Sequence, residues 1–197
     1  MLDAVLFDLD NTLIDRERAF RALVVETFAD AATRADIIRC DERGQGDREA
    51  LFSCWKRHGG GRMDHATMAA QIADRLVPEE QLLTALRLLS QHKKIGLITN
   101  GGSAGQRRKL RASGLDQVIP NNRLWISAEM GCAKPAPAIF LRACAELGVV
   151  PTATLYVGDY PPHDATGPAS AGLRFRIAET PLDAERLACL IQEEETH

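Results

Sequence analysis

The sequence is short of most features that would place it in a membrane, on nucleic acid or outside the cell. No apolar stretch approaches the ~20 residues that a bilayer span needs. There is no basic excess, since 24 Lys and Arg stand against 27 Asp and Glu for a net charge of −3. That balance offers no polycationic surface, so neither nucleic acid nor an anionic membrane is expected as a partner. The opening MLDAVLFDLD has no basic n-region and no small-residue cleavage site, and it does not read as a signal peptide. Cysteines are few and ill-spaced for bridging or for metal. Cys40, Cys54, Cys132, Cys144 and Cys189 are odd in number, and no C-x-x-C occurs. They read as reduced thiols of a cytoplasmic protein. Repeats of roughly 20–50 residues and low-complexity tracts are missing too, which excludes solenoids and arrays.

What is present is a chain of 197 residues with 45% hydrophobic content, enough for one compact domain with a modest insertion. Short apolar runs recur at 4–8, 95–99, 124–127, 154–158 and 173–177. Helical patterns fall between them at 79–92, 104–113, 136–147, 164–171 and 181–194. Pro135 and Pro137 suit a helix start, and Gly114, Gly148 and Gly172 suit helix ends. Continuous apolar runs alternating with amphipathic helices predict an α/β fold, a Rossmann-like parallel sheet flanked by helices.

Residues 15–78 differ, because they contain no strand-like run. Leu23, Val24, Thr27 and Phe28 make a helical stripe within 16–30, and further helices are expected at 35–43, 47–58 and 64–76. The breaks are GQG at 44–46 and GGG at 59–61. The expected organisation is an α/β core of 1–14 and 79–197, with a small all-α insertion at 15–78.

The first apolar run ends in Asp8, Leu9 and Asp10. Two neighbouring carboxylates repel, and burying either requires a cation, a proton or open solvent. Other runs also end in polar residues. Thr99, Asn100 and Gly101 follow the second, and Asp159 follows the fourth, with Asp164 five residues on. Lys134 precedes PAPAIF. In a parallel sheet these positions gather at the carboxyl edge, where open α/β sheets bind ligands. Asp8 and Asp159 are hard oxygen ligands suited to Mg²⁺. One carboxylate can attack phosphorus while the other handles a proton. Thr99 can donate to a phosphoryl oxygen, and Lys134 can offset its charge. The glycine-rich turn after Thr99 offers backbone N–H groups to a phosphate, making Thr99, Asn100 and Gly101 candidate substrate-binding residues.

DLDNTL (8–13), LITNG (97–101), Lys134 in KPAPAIF, and VGDYPPHD followed by GPASAG (167–172) occur in order. In this the chain resembles the haloacid dehalogenase superfamily from Phe7 to about Gly172. The resemblance implies that Asp8 is the nucleophile and Asp10 the acid/base. It implies that Mg²⁺ is held by Asp8, the backbone carbonyl of Asp10 and Asp159, with Asp164 behind them and Lys134 beside the nucleophile. Residues 15–78 look like the family's α-helical cap. Two positions depart from the pattern: Ala165 stands where isoleucine is frequent, and Pro168 where a small alanine is common.

The function these readings predict is Mg²⁺-dependent hydrolysis of a small phosphorylated metabolite through an aspartyl-phosphate, in a monomer or homodimer. A phosphomutase shares the same core motifs. A serine esterase is the rival pattern. GGSAG (101–105) fits G-x-S-x-G around Ser103, HGGG (58–61) resembles an oxyanion-hole motif, and Asp159 or Asp164 with His197 would complete a triad. That reading leaves Asp8, Asp10 and Lys134 without a task. A catalytically silent binding protein would have no use for so many charges. His163 reads as filling its turn or touching substrate. GGGR (59–62) reads as a connection between helices, or as a loop bringing Arg62 to an anion.

Overall fold

An apolar run without polar alternation must be covered on both faces, and the central strands obey this. The computed structural model describes residues 2–196. Five strands, β1 (Ala4–Phe7), β2 (Lys94–Thr99), β3 (Leu124–Ile126), β4 (Thr154–Gly158) and β5 (Arg174–Ile177), form one parallel sheet in the order β3-β2-β1-β4-β5. Phe7 lies opposite Leu97 on one side and Val157 on the other. Val5, Phe7, Leu97 and Val157 pack on one face with Leu86 and Leu110, while Leu6, Ile98 and Tyr156 pack on the other with Phe140 and Ala143. Those layers are helices α5 (Glu80–Ser90), α6 (Ser103–Ala112), α8 (Pro137–Leu147) and α11 (Ala184–Thr196). Strand β5 is an edge and only partly buried, which is why it tolerates Arg174 and Arg176.

The strand order reverses at β1. After β2 and β3 the chain returns past β1 to form β4 on the opposite side. The reversal opens a crevice at the carboxyl ends of β1 and β4. Several boundaries depart from the sequence pattern; the helix expected at 35–43, for example, spans Ala31–Asp41. Strand β3 stops at Ile126, and the short helix α7 (Ser127–Met130) begins at once. The helix expected at 164–171 is two, α9 (Pro161–Asp164) and α10 (Thr166–Ser170), hinged at Ala165. The helix expected from 181 begins at Ala184. Among the described residues no helix is long and apolar enough to cross a membrane.

Between β1 and α5 the chain forms α1 (Arg16–Thr27), α2 (Ala31–Asp41), α3 (Arg48–Arg57) and α4 (His65–Ala73). Each begins at an aspartate, Asp15, Asp30, Asp47 or Asp64, whose carboxylate accepts a backbone N–H of the first turn. Helix α2 stops because Glu42, Arg43 and Gly44 all take positive φ. These helices share an apolar core of Phe20, Leu23, Ile37, Leu51, Trp55 and Ile72, with Phe28 and Trp55 edge-to-face at 4.8 Å. They meet the sheet layer where α4 packs on α6. A Cβ at Gly105 would lie 2.9 Å from that of Ala69, so this close approach needs a glycine.

Inside this helical layer lies a buried ion network. Arg16 meets Asp41 through both guanidinium arms, one at 2.7 Å to Oδ1, and Arg48 adds a bond to Oδ1 at 2.9 Å. Arg16 is 4% exposed and Asp41 1%, so solvent cannot replace a lost partner. Asp41→Ala should therefore cost about 3–5 kcal/mol of stability, the range for stranding a buried charge. Chemical denaturation with midpoint and slope recorded separately checks this; a loss under 1 kcal/mol would mean that water reaches Arg16.

Candidate active site

The cluster at the sheet's carboxyl edge is built around one ammonium group. Asp8 follows β1 directly, and its N–H extends the ladder to Val157 O at 2.8 Å. Lys134 comes from the loop before α8. Its Nζ lies 2.8 Å from Asp8 Oδ1 and 2.7 Å from Asp164 Oδ1, and donates to Tyr156 Oη at 2.8 Å. Tyr156 Oη in turn donates to Asp164 Oδ1 at 3.0 Å, and the Tyr160 N–H donates to Asp164 Oδ2 at 3.0 Å. Asn100 fixes the lysine's main chain, donating to Lys134 O and accepting from Lys134 N, both at 2.9 Å. Gly158 makes room, since a Cβ there would stand 2.3 Å from Asp164 Cγ.

Asp10 sits apart from this cluster. Its two oxygens each accept from Lys109 Nζ at 2.7 Å, and Oδ2 also accepts from Gln106 Nε2 at 3.1 Å. Gln106 Nε2 reaches Thr99 Oγ1 at 2.6 Å as well. Asp159 Oδ2 meets Arg43 Nη2 at 3.3 Å, while the buried Asp159 Oδ1 has no hydrogen-bond partner among the described residues.

The two aspartates of the opening motif have opposite electrostatics. Burial pushes the Asp8 carboxyl up to about 7, Lys134 opposing and the Asp164 charge adding to the rise. Burial would also raise Asp10, but Lys109 and Arg16 outweigh it and hold the group below the usual carboxylate range. Burial and then Asp164 raise Asp159 to about 6. Lys134 is raised, because Asp8 and Asp164 overcome its desolvation, whereas Lys109 is lowered because desolvation wins over Asp10.

Ligand oxygens of Asp8, Asp159 and Asp164 lie within 4.8 Å of one another. Asp164 already serves Lys134, Tyr156 and the Tyr160 N–H, which leaves Asp8 and the open Asp159 Oδ1 facing the gap. An all-oxygen donor set with one orphaned carboxylate oxygen fits a hard divalent cation such as Mg²⁺. Beside it lies a cavity of about 580 Å³. Its walls include Asp8, Asp10, Thr99, Asn100, Gly101 and Lys134 from the sheet layer, and Arg43, Arg48, Phe52, His65 and Met68 from the helical layer.

Residues 2–172 match the model of the haloacid dehalogenase-like hydrolase family. The chain belongs to that family. It is 28% identical over 193 residues to the glyceraldehyde 3-phosphate phosphatase of Methanopyrus kandleri, covering 88% of this chain and 82% of that one. It is 28% identical over 213 residues to the human N-acylneuraminate-9-phosphatase, covering 88% and 81%. A magnesium-bound HAD-hydrolase of Bacillus subtilis superposes with a TM-score of 0.68 over 96% of this chain and 98% of that chain, at 21% identity. With phosphatases among its relatives, the enzyme class is phosphoric monoester hydrolysis.

Within this HAD-like hydrolase, several sequence expectations find a place. Thr99 and Gly101 line the cavity, and the Asn100 side chain is occupied with the Lys134 peptide. His163 also lines it, packed against Tyr160 at 4.9 Å. The 59–62 loop does not line the cavity; Gly60 O instead accepts from Trp55 Nε1 at 2.6 Å, so the loop serves as the connection. The helical-layer wall includes Arg43–Gln45 and Arg48, although the sequence pattern marks only the GQG break at 44–46 and nothing that points to the cavity. Ser103 is hydrogen-bonded to Glu129, His58 is engaged by Thr33 and Asp36, and His197 lies outside the described residues. The G-x-S-x-G reading thus acquires no histidine partner for Ser103 among the described residues. Lys109, Gln106 and Tyr156 are the site residues that motif reading missed. The available signal for the first two was polar residues at i and i+3 on the face of α6 that also carries the buried Leu110.

A metal held by Asp8 and Asp159 would bind with pH-dependent affinity, because a proton must leave before each carboxylate can bind. Asp8 titrates near 7 in the metal-free fold against 3.8 when unfolded. Its raised value favours the folded state at low pH, and that contribution is lost as pH rises through about 7. Mg²⁺ should therefore stabilise the protein more at pH 8 than at pH 6, with affinity at least roughly tenfold weaker at pH 6. Thermal shift against Mg²⁺ concentration at both values checks this; equal shifts would remove Asp8 from the ion's ligands.

Proposed function

We propose that this enzyme hydrolyses a small phosphorylated metabolite, with Mg²⁺, through an aspartyl-phosphate on Asp8. The observation that carries the reading is the geometry of Asp8. It is a nearly buried carboxylate at a strand end, held by Lys134 at 2.8 Å and opening on a cavity rich in cationic side chains. In this reading Asp8 attacks phosphorus, and Asp10 protonates the leaving oxygen and then deprotonates water. Thr99 and the N–H groups of the following turn receive the phosphoryl oxygens. Lys134 keeps Asp8 oriented and offsets the incoming charge. Asp8, the Asp10 carbonyl and Asp159 would hold Mg²⁺, which supplies charge neutralisation at the phosphoryl group. Asp164 keeps Lys134 and the Tyr160 backbone in place.

Residues 15–78 act as a cap over the core formed by 1–14 and 79–197. Their separate apolar core and their contribution of Arg43, Arg48 and Phe52 to the cavity wall support this. Substrate choice then lies in the cap, and water exclusion follows from its closure on the core. Both curated relatives bear the names of phosphatases of small phosphorylated compounds, and the cavity's size suits such a ligand.

Asp8→Asn should reduce phosphatase activity to background, since an amide is a poor nucleophile. Asp10→Asn should slow turnover by about 10²–10⁴-fold, the usual worth of proton transfer. With 4-nitrophenyl phosphate, whose departure needs little acid help, Asp10→Asn should accumulate a hydroxylamine-sensitive phosphoenzyme. Intact-mass measurement after acid quench, with peptide mapping, locates the label. A label on any residue but Asp8, or full activity in excess chelator, would sink the mechanism.

A further inference from the structure

Lysine is costly to bury, yet Lys109 stands on the inner side of α6 with 8% of its side chain exposed. Among the described residues, the only carboxylate within bonding distance of its Nζ is Asp10, which it meets through both oxygens at 2.7 Å. One turn earlier Gln106, 3% exposed, donates to Asp10 Oδ2 at 3.1 Å and reaches Thr99 Oγ1 at 2.6 Å. A carboxylate oxygen has two acceptor positions. Lys109 and Gln106 together fill those of Oδ2, while Oδ1 accepts from Lys109 alone. The Asp10 side chain keeps 24% of its surface exposed and borders the cavity.

We infer that Lys109 and Gln106 are positioning residues for Asp10, gripping Oδ2 so that Oδ1 is the atom that exchanges protons with substrate and water. This rests on the phosphatase reading given above. In the first step an Asp8 oxygen bonds to phosphorus, and the phosphorus–ester oxygen bond breaks with its electron pair on the leaving oxygen. That oxygen takes the proton from Asp10 Oδ1. In the second step a water oxygen bonds to phosphorus while giving a proton to Oδ1. The phosphorus–Asp8 bond breaks, its pair returns to Asp8, and Asp10 is protonated for the next cycle. Lys109 and Gln106 act through Asp10 and not on phosphorus or the leaving oxygen; they set the side-chain angle that aims Oδ1.

The test compares wild type, Lys109→Met, Lys109→Arg and Gln106→Leu in the full chain with saturating Mg²⁺. The substrates are 4-nitrophenyl phosphate and glycerol phosphate, a poor leaving group. Lys109→Met should lower kcat on glycerol phosphate by about 10–100-fold, part of the full value of acid–base catalysis. It should keep the rapid 4-nitrophenol burst, lengthen the phosphoenzyme lifetime, and leave KM unchanged. Lys109→Arg should recover most of the loss. Gln106→Leu, which retains the charge, should give the same split in smaller measure, and it decides the matter should Lys109→Met fail to fold. A raised KM with kcat intact would make Lys109 a substrate contact and overturn the proposal. Equal loss of burst and turnover on both substrates would make the pair merely structural and overturn it too. Absence of any phosphoenzyme on Asp8 in the wild type is a separate result, and it would overturn the phosphatase reading itself.

Discussion

The site depends on the ammonium of Lys134 being held between Asp8 and Asp164 in the interior. Asp8, Asp159 and Asp164 bring three carboxylates within 4.8 Å, answered by the Lys134 ammonium between Asp8 and Asp164 and by the Arg43 guanidinium on Asp159. At an effective dielectric of about 20, two like charges 4 Å apart repel by about 4 kcal/mol. Such a cluster forms only because the surrounding fold imposes it. Adjacency of β1 and β4 brings Asp8 beside Asp159, Asn100 clamps the lysine's peptide, and Gly158 leaves space for Asp164. The crowding that raises Asp8 and Asp159, with Asp159 Oδ1 left without a donor among the described residues, is the electrostatic reason that a hard cation would suit the gap.

A second set of contacts ties the helical layer to that cluster. Asn11, at φ 60°, accepts from Glu17 N and donates to Arg43 O at 2.9 Å. Arg43 is itself in the left-handed region and reaches Asp159 at 3.3 Å. A non-glycine residue there carries roughly 1–3 kcal/mol of strain. The strained turn at Glu42–Gly44 therefore persists because Asn11, in the motif that carries Asp8 and Asp10, anchors it. The same motif orients both the nucleophile and one wall of the cavity. The Arg43 side chain is half-exposed while Asp159 is nearly buried, so solvent screens the pair from the arginine side and its effect lies chiefly in placement.

The sheet was legible because both faces of β1, β2 and β4 are covered, which writes each as an unbroken apolar run. Asp8, Asp159 and Lys134 were legible because polar residues at the ends of such runs need a reason. Asp10's partners were not. Gln106 and Lys109 lie 96 and 99 residues from Asp10, and along the sequence they look like ordinary polar positions of α6. Tyr156 was hidden in the same way, as one more β-former in an apolar strand, although its hydroxyl sits between Lys134 and Asp164. Nothing in the local pattern marked Arg16, Asp41 and Arg48, which form a buried ion network. Local pattern records which face of an element is apolar; it does not record which polar residue another element will bring opposite. The break at Ala165 belongs with these, since Asp164 turns inward to serve Lys134 and ends one helix before the next begins.

On the proposed mechanism, the contrast between Asp8 and Asp10 bears on how the two half-reactions share the work. Burial raises Asp8 to about 7, and a cation beside it would favour its charged, nucleophilic form. Asp10 has the reverse difficulty. Lys109 and Arg16 already hold it ionised, and a nearby cation deepens that preference. An ionised Asp10 is ready to accept a proton from water but unready to donate one. The group that corrects this is the substrate, because a phosphoryl dianion a few ångströms away raises the affinity of a neighbouring carboxylate for a proton. Acid competence at Asp10 then arises only when the cleft is filled. When the leaving group departs and the phosphoryl charge is partly carried by Asp8, the same electrostatics return Asp10 toward its base form after each proton is spent. The positive groups around Asp10 therefore favour the hydrolytic half-reaction, and substrate binding itself supplies what the first half-reaction lacks.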